Sequence, residues 1–340
     1  MTTLGILWFV IMFVLIAGYF ILDGFDLGVG VLYPFLTKSE SEKKDLIWSI
    51  GPVWDGNEVW LITAGGVLFA AFAPAYATTF SGFYLAIMLV LFGLILRAVS
   101  IEYRAHAEDM TKLWDTTFFV GSLLPALLFG VAIGNVLVGI PLDAHGDYTG
   151  TFIALLNPFS LMCGVVGLVH MLTQGASWIA LKAPVNSELR NRAAALRKLL
   201  ALADVAVFAL TSIVYLAFVA PGASYQVASM PLAILCAVLF VGSGLAVALT
   251  CKKEDSSKDL PSQLLLSLGC VALVTLVAAS LFPNIVPATD AALSLTIANC
   301  AATDVTLLPM TIIACIGVPL VLVYHFLVYR SFKGRLKGDY

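Results

Sequence analysis

Apolar stretches of about 20 residues or more dominate this chain, and each is long enough to cross a bilayer as a helix. Nine are read, at about 4–36, 47–72, 77–102, 116–140, 152–182, 199–220, 229–251, 262–282 and 304–329. The longest are expected to tilt or to project beyond the lipid. Only 11% of the 340 residues are charged, against roughly 25% in a soluble domain. Mean hydropathy is +0.99. The fold class that follows is an all-α polytopic membrane protein.

The placement of charge supports the count. All 18 Lys and Arg residues fall at or beyond alternate ends of the spans. Lys38, Lys43 and Lys44 follow the first span, and Arg97, Arg104 and Lys112 close the third. Lys182, Arg190, Arg192, Arg197 and Lys198 follow the fifth; Lys252, Lys253 and Lys258 follow the seventh. Arg330, Lys333, Arg335 and Lys337 lie in the tail. The positive-inside rule then predicts an N-terminus outside and a C-terminus in the cytoplasm, which requires an odd number of spans. No Lys or Arg precedes the first apolar run, and that run is too long for a signal h-region, so the first helix is expected to be retained. The connections are short, the longest being about 283–303, and residues 1–340 read as one membrane domain. The net charge of −3 gives no reason to expect nucleic acid. Six cysteines (Cys163, Cys236, Cys251, Cys270, Cys300 and Cys315) form no CxxC pair and no zinc spacing.

Ionisable groups inside spans are functional candidates by default. The first span ends with "LDGFDLGVG", in which Asp23 and Asp26 are three residues apart and share a helix face. At 1.5 Å per residue they lie roughly 28 and 33 Å along the helix, near its cytoplasmic end. The second span carries "GPVWDGNEVWLITAGG", which places Asp55 roughly 12 Å in, with Glu58 on the same face. The third span ends "LRAVSIEYR", with Arg97 and Glu102 at the cytoplasmic side. Six groups therefore share a depth. Two readings stay open: a proton-uptake cluster in which Arg97 keeps part of the acid ionised, or a polar knot that pins helix packing. Among the histidines only His170 is mid-span, and no second histidine at matching depth supports haem ligation. A hydrogen-bonded buried histidine is the simpler expectation. Asp204 is expected to be structural or a second polar contact. Asp304 follows Thr303 at a helix start.

"LDGFDLGVG", "GPVWDGNEVWLITAGGVLFAAF", "SGFYLAIMLVLFGLILRAVSIEYR", "LLNPFSLMCGVVGLV" and "TQGASW" together resemble subunit II of cytochrome bd-type quinol oxidases, a family that includes the cyanide-insensitive oxidases. The resemblance is dense over residues 18–104, clear over 116–182 and looser beyond. It implies a haem-free subunit folded as two four-helix bundles plus one further helix. Its partner would be subunit I, which carries the haems (b-type, and b- or d-type) and the main quinol-oxidation site. The complex would oxidise quinol and reduce oxygen to water in the bacterial inner membrane, surrounded by lipid. Some complexes of this kind add small accessory subunits, and in some members subunit II holds a quinone as a structural ligand.

The resemblance also ranks the site residues. The motif aspartates that match Asp26 and Asp55 are implicated in a proton route toward the haems. Asp23, Arg97 and Glu102 are second-rank partners. Glu58 stands where the family often has Gln, which weakens a titrating role there. Glu102 stands where the family also uses Asp, which preserves a carboxylate. His170 lies outside the family's motifs. The expectation is therefore a subunit that supports assembly and delivers cytoplasmic protons. A stand-alone proton-coupled transporter is the alternative from another class. Transporters often show inverted repeats and midplane sites, whereas the acidic groups here gather at one end of one third of the chain.

Overall fold

A computed structural model describes residues 1–104, 106, 108–250 and 255–336. In chain order the helices are α1 (Thr3–Leu36), α2 (Glu40–Ile50), α3 (Trp54–Ala71), α4 (Ala73–Gly82), α5 (Tyr84–Tyr103) and α6 (Thr111–Val138). They continue with α7 (Pro158–Lys182), α8 (Glu188–Val214), α9 (Met230–Thr250), α10 (Asp259–Leu281), α11 (Ile297–Cys300) and α12 (Asp304–Ser331). A short antiparallel pair, β1 (Asn284–Val286) and β2 (Leu295–Thr296), closes one end. Among the described residues, eight helices are long and apolar enough to cross a membrane. The expected second span is not among them. Its helix, α3, has only 18 residues and carries Asp55, Asn57 and Glu58 in its first turns.

Several expected spans are interrupted for local reasons. Pro52 lacks an N–H, and the chain turns at Gly51–Val53, so 47–72 splits into α2 and α3. Asp55 therefore lies in the first turn of a helix, where a negative charge is favoured by the helix dipole. The stretch 77–102 is divided at Phe83 between α4 and α5. In 152–182 the long helix begins only at Pro158, where the Asn157 side chain accepts from the Ser160 N–H at 2.9 Å. Conversely, α8 starts at Glu188, capped by Ser187, well before the expected 199. Arg190, Arg192 and Arg197 thus belong to a helix rather than a loop.

α1 is central and contacts α3, α6, α7, α10 and α12. α5 packs on α6, and α6 packs on α7. α7, α8, α9 and α10 pack in sequence, with α10 returning to α7. The closest approach is between α1 and α7. A Cβ built on Gly28 would lie 1.9 Å from the Met171 carbonyl oxygen, and one on Gly175 would lie 2.4 Å from the Gly28 carbonyl carbon. Backbone meets backbone here, so only glycine fits.

The basic ends of the helices are joined by ion pairs. Asp115 on α6 accepts from Tyr33 on α1 at 2.7 Å, from Lys43 on α2 at 2.7 Å and from Arg104 after α5 at 2.5 Å. Arg192 on α8 donates to Glu42 on α2 at 2.7 Å and to the Leu36 carbonyl at 2.9 Å. Asp259, fully buried, accepts from Arg190, Arg197 and Arg335 at 3.0, 3.1 and 2.8 Å. Arg335 also donates to the Ala180 and Ala183 carbonyls, which straps the segment after α12 to the end of α7.

Two outcomes follow from this packing. Gly28→Ala forces α1 and α7 apart, at a cost of about 1–3 kcal/mol; a lower thermal midpoint of the detergent-extracted protein checks it. The second concerns acid. Hydrogen bonds from Lys43 and then Arg104 hold the Glu40 carboxyl below its ordinary range. Burial raises Glu42, but the Arg192 and Lys38 hydrogen bonds outweigh it and the net shift is downward. A lowered acid stabilises the fold above its unfolded pKa and loses that contribution as pH falls through the folded value. Asp45, raised by burial and by Glu42, works in the opposite sense. On balance α2 is expected to loosen below about pH 4, read as faster amide exchange over Glu40–Ile50 after correction for intrinsic rates.

Candidate functional site

Asp23 and Asp26 are both fully buried on the face of α1 that meets α3, α5 and α7. Arg97 on α5 is also fully buried. One of its terminal nitrogens, Nη2, donates to Asp23 Oδ1 at 2.7 Å and to Glu58 Oε1 on α3 at 2.5 Å. A single guanidinium therefore ties three helices together. Beside it, Asp26 Oδ2 accepts from Asn57 Nδ2 at 2.7 Å. The same Asn57 amide donates to the Leu22 carbonyl at 3.2 Å, and its Oδ1 accepts from Tyr329 OH on α12 at 3.0 Å.

The patch holds more hydrogen-bonding capacity than its side chains use. Among the described residues, Arg97 Nε and Nη1, Asp23 Oδ2, Asp26 Oδ1, the Tyr19 hydroxyl and both amide atoms of Gln174 are buried with no hydrogen-bond partner. Gln174, from the "TQGASW" stretch of α7, lies over the turn between the two aspartates: its Oε1 is 3.2 Å from where a Cβ on Gly24 would sit.

The six groups expected at one depth do not form one cluster. Asp23, Glu58 and Arg97 meet directly, and Asp26 lies alongside through Asn57. Asp55 is exposed on α3 and accepts no hydrogen bond from the described residues, although it is near enough to influence Glu58 electrostatically. Glu102 is exposed at the end of α5, where its backbone carbonyl is engaged by the His106 ring. Rise per residue carries no information on the direction in which each side chain points. Asn57, Gln174, Tyr19 and Tyr329 were not singled out from sequence. Asn57 and Gln174 lie inside the quoted motifs, and that was the available signal.

A second polar pair lies in the other half of the chain. His170 Nδ1 and Asp204 Oδ2 are 2.8 Å apart, both buried. The histidine is thus a hydrogen-bonded one, and Asp204 is its partner. His170 borders an apolar cavity of about 330 Å³ lined by Phe13, Phe208, Tyr215 and Cys270 among others. Among the described residues, no three His, Cys, Asp or Glu side chains come together as a metal site.

The family profile for cytochrome bd terminal oxidase subunit II matches residues 4–332. The chain belongs to that family. It is therefore a multi-pass subunit of an oxidase, an oxidoreductase complex with a partner subunit. The cytochrome bd-I ubiquinol oxidase subunit 2 of Escherichia coli K12 is 36% identical over 99% of this chain and 96% of its own length. The cytochrome bd ubiquinol oxidase subunit 2 of Bacillus subtilis 168 is 33% identical over 99% and 98%. A probable cytochrome oxidase subunit 2 from Haemophilus influenzae is 44% identical over 62% of this chain and 57% of its own length. In three dimensions the chain resembles one in the structure of bd oxidase from Geobacillus thermodenitrificans, with a TM-score of 0.76 at 15% identity, covering 97% of this chain and 99% of that one.

The pairing around Arg97 joins three helices, and removing one partner leaves buried charge uncompensated. Arg97→Ala leaves Asp23 and Glu58 facing each other without a counter-charge, at a cost of about 3–5 kcal/mol. The expected result is a sharp loss of accumulated complex. The Arg97→Gln/Asp23→Asn double variant removes both charges and is expected to lose less than the single changes predict by addition; a double-mutant cycle on thermal midpoints measures this coupling.

Proposed function

We propose that this chain is the haem-free subunit of a bd-type quinol oxidase, that it supports assembly of the haem-bearing subunit I, and that it supplies protons from the cytoplasm for reduction of oxygen to water. The observation that carries the reading is the buried acid patch. Three carboxyls, Asp23, Asp26 and Glu58, surround one guanidinium, and Asp55 lies one turn before Glu58 on an exposed face of α3. In a low-dielectric interior, a proton shared among the acids brings such a group closer to neutrality. The unpaired polar atoms around it offer the further hydrogen-bonding positions that a proton route needs. In this reading Asp55 faces subunit I and hands protons across the interface, Asp26 is the inner station, and Asp23 with Arg97 fixes the local field. Glu102 sits at the entry side, where it is exposed. Glu58 is held by Arg97 and serves mainly as its partner.

The same proposal takes the chain as one membrane domain of nine spans, with α3 as the ninth. The first bundle is α1, α3, α5 and α6, the second is α7 to α10, and α12 is the further helix. The N-terminus lies outside and the C-terminus in the cytoplasm, because the Lys and Arg residues gather at one end. The named relatives point to ubiquinol as the electron donor of the complex. The cavity beside His170 has the size and apolar lining of a small-molecule pocket and suits a structural quinone. Small accessory subunits and surrounding lipid complete the assembly. A stand-alone transporter is not favoured, since the acidic patch lies within one bundle.

Asp26→Asn and Asp55→Asn in the purified oxidase test the proton role. Each is expected to lower oxygen consumption by about tenfold or more while the haem spectrum stays normal. Wild-type turnover in both variants overturns the route. Loss of haem with no separate effect on turnover per haem assigns these residues to assembly alone.

A further inference from the structure

α12 is the least embedded long helix: within it only Leu307 and His325 are buried, and Val305 is 84% exposed. It is held at three points. Trp8 Nε1 donates to the Leu307 carbonyl at 3.3 Å and to Thr311 Oγ1 at 3.0 Å. Trp60 Nε1 donates to His325 Nε2 at 3.2 Å, and His325 Nδ1 lies 2.9 Å from the Val321 carbonyl. An indole N–H only donates and a carbonyl only accepts, so His325 carries its proton on Nδ1 and is neutral. The third point, Tyr329 OH to Asn57 Oδ1, is the one that reaches the acid patch.

The orientation of Asn57 follows from its neighbours. The Leu22 carbonyl accepts and cannot donate, so the amide atom facing it is the NH₂ group. The amide oxygen must then face Tyr329, and the phenol must donate to it. This leaves the NH₂ group with its second hydrogen for Asp26 Oδ2. The Tyr329 ring is itself constrained. It packs edge-on against Trp178 at 6.0 Å and parallel to His325 at 6.4 Å. The Trp178 indole is fixed by its bond to the Ser49 carbonyl at 3.1 Å.

We infer that Tyr329 is a positioning residue for Asp26: it holds the Asn57 amide in the orientation that presents a donor to the carboxyl, and it links that orientation to the seat of α12. The inference rests on the proposed proton route and adds a residue from the opposite end of the sequence. Without the phenol, the buried Asn57 oxygen has no partner, and the amide is held from its NH₂ side alone, by the Leu22 carbonyl and Asp26, which weakens its hold on the orientation that serves Asp26. Any movement of α12 against α3 has the same effect.

The test uses the purified oxidase complex carrying Tyr329→Phe, with Tyr84→Phe on the exposed start of α5 as control. Haem content, the pH profile of oxygen consumption and the redox-difference infrared spectrum are measured. The carboxyl band of Asp26 is assigned by its absence in Asp26→Asn. Tyr329→Phe is expected to keep its haems, to move the pH profile by about half a unit to one unit, and to shift that band. The control is expected to do neither. An unchanged profile and band, or loss of the haems, overturns the inference, the latter because it makes the phenol an assembly residue. If Asp26→Asn turns over like the wild type, the proton route falls and this inference with it. If Asp26→Asn is impaired while Tyr329→Phe matches the wild type, only this inference falls.

Discussion

An arginine side chain with no exposure inside a membrane bundle has to be surrounded by acid, and the first half of this fold is arranged around that requirement. Arg97 reaches Asp23 and Glu58 from a single terminal nitrogen, so α5, α1 and α3 are brought to one point. Desolvating such a group is expensive, and a buried ion pair often does no more than offset that cost. Its effect is greater on geometry than on net stability. Few alternative packings of these helices put both carboxyls within reach of one guanidinium, so the pair selects one arrangement. The contact of Gly28 with the α7 backbone then seals the patch from lipid. The glycine and the arginine depend on each other: close packing excludes the bilayer, and the charge fixes which faces pack.

The basic residues have two consequences. Their distribution along the chain is the basis of the proposed orientation. In the folded protein several of them are also internal ties. Arg190, Arg197 and Arg335 converge on the buried Asp259, and Arg192 bridges α8 to α2 and to the end of α1. Residues of α8 that look like a basic loop in sequence therefore join the two halves of the molecule. This explains why the helix begins so early: its first turns are paid for by ion pairs rather than by apolar burial.

The direction in which each side chain points was not legible in the sequence. Counting 1.5 Å per residue placed Asp23, Asp26, Glu58 and Arg97 at one level, and three of them meet. The same counting failed for Asp55 because it assumed one continuous helix from Ile47. The turn at Gly51–Val53 resets the helical phase, and Asp55 emerges on an outer face. Glu102 lies at the helix end, where its side chain is exposed. The alternating charges argue for a ninth span, but α3, with its polar first turns, is not among the eight helices apolar and long enough to cross a membrane among the described residues. His170 and Asp204 were each noticed, but their pairing needed the packing of α7 on α8. Tyr329 was beyond reach for a plainer reason: its contact with Asn57 spans 272 positions, and neither local periodicity nor helix rise carries information over that separation.

α12 shows how a helix can be bound to a fold without sharing much of its core. Most of its surface is apolar and outward, which is tolerable for a helix in lipid or against another subunit and gives little adhesion to its own chain. The fixed points are two indole N–H groups, one phenol and the strap after Phe332. Each is directional and each can be broken without opening a cavity. A helix held in this way responds to whatever packs against its outer face more readily than α1 or α7, which are locked by backbone contact. Because one of its few attachments ends on the Asn57 amide, and that amide ends on Asp26, a load applied to the outside of the subunit is transmitted to a buried carboxyl by two hydrogen bonds. The acid patch and the exposed helix are thus mechanically connected, although they come from opposite ends of the chain.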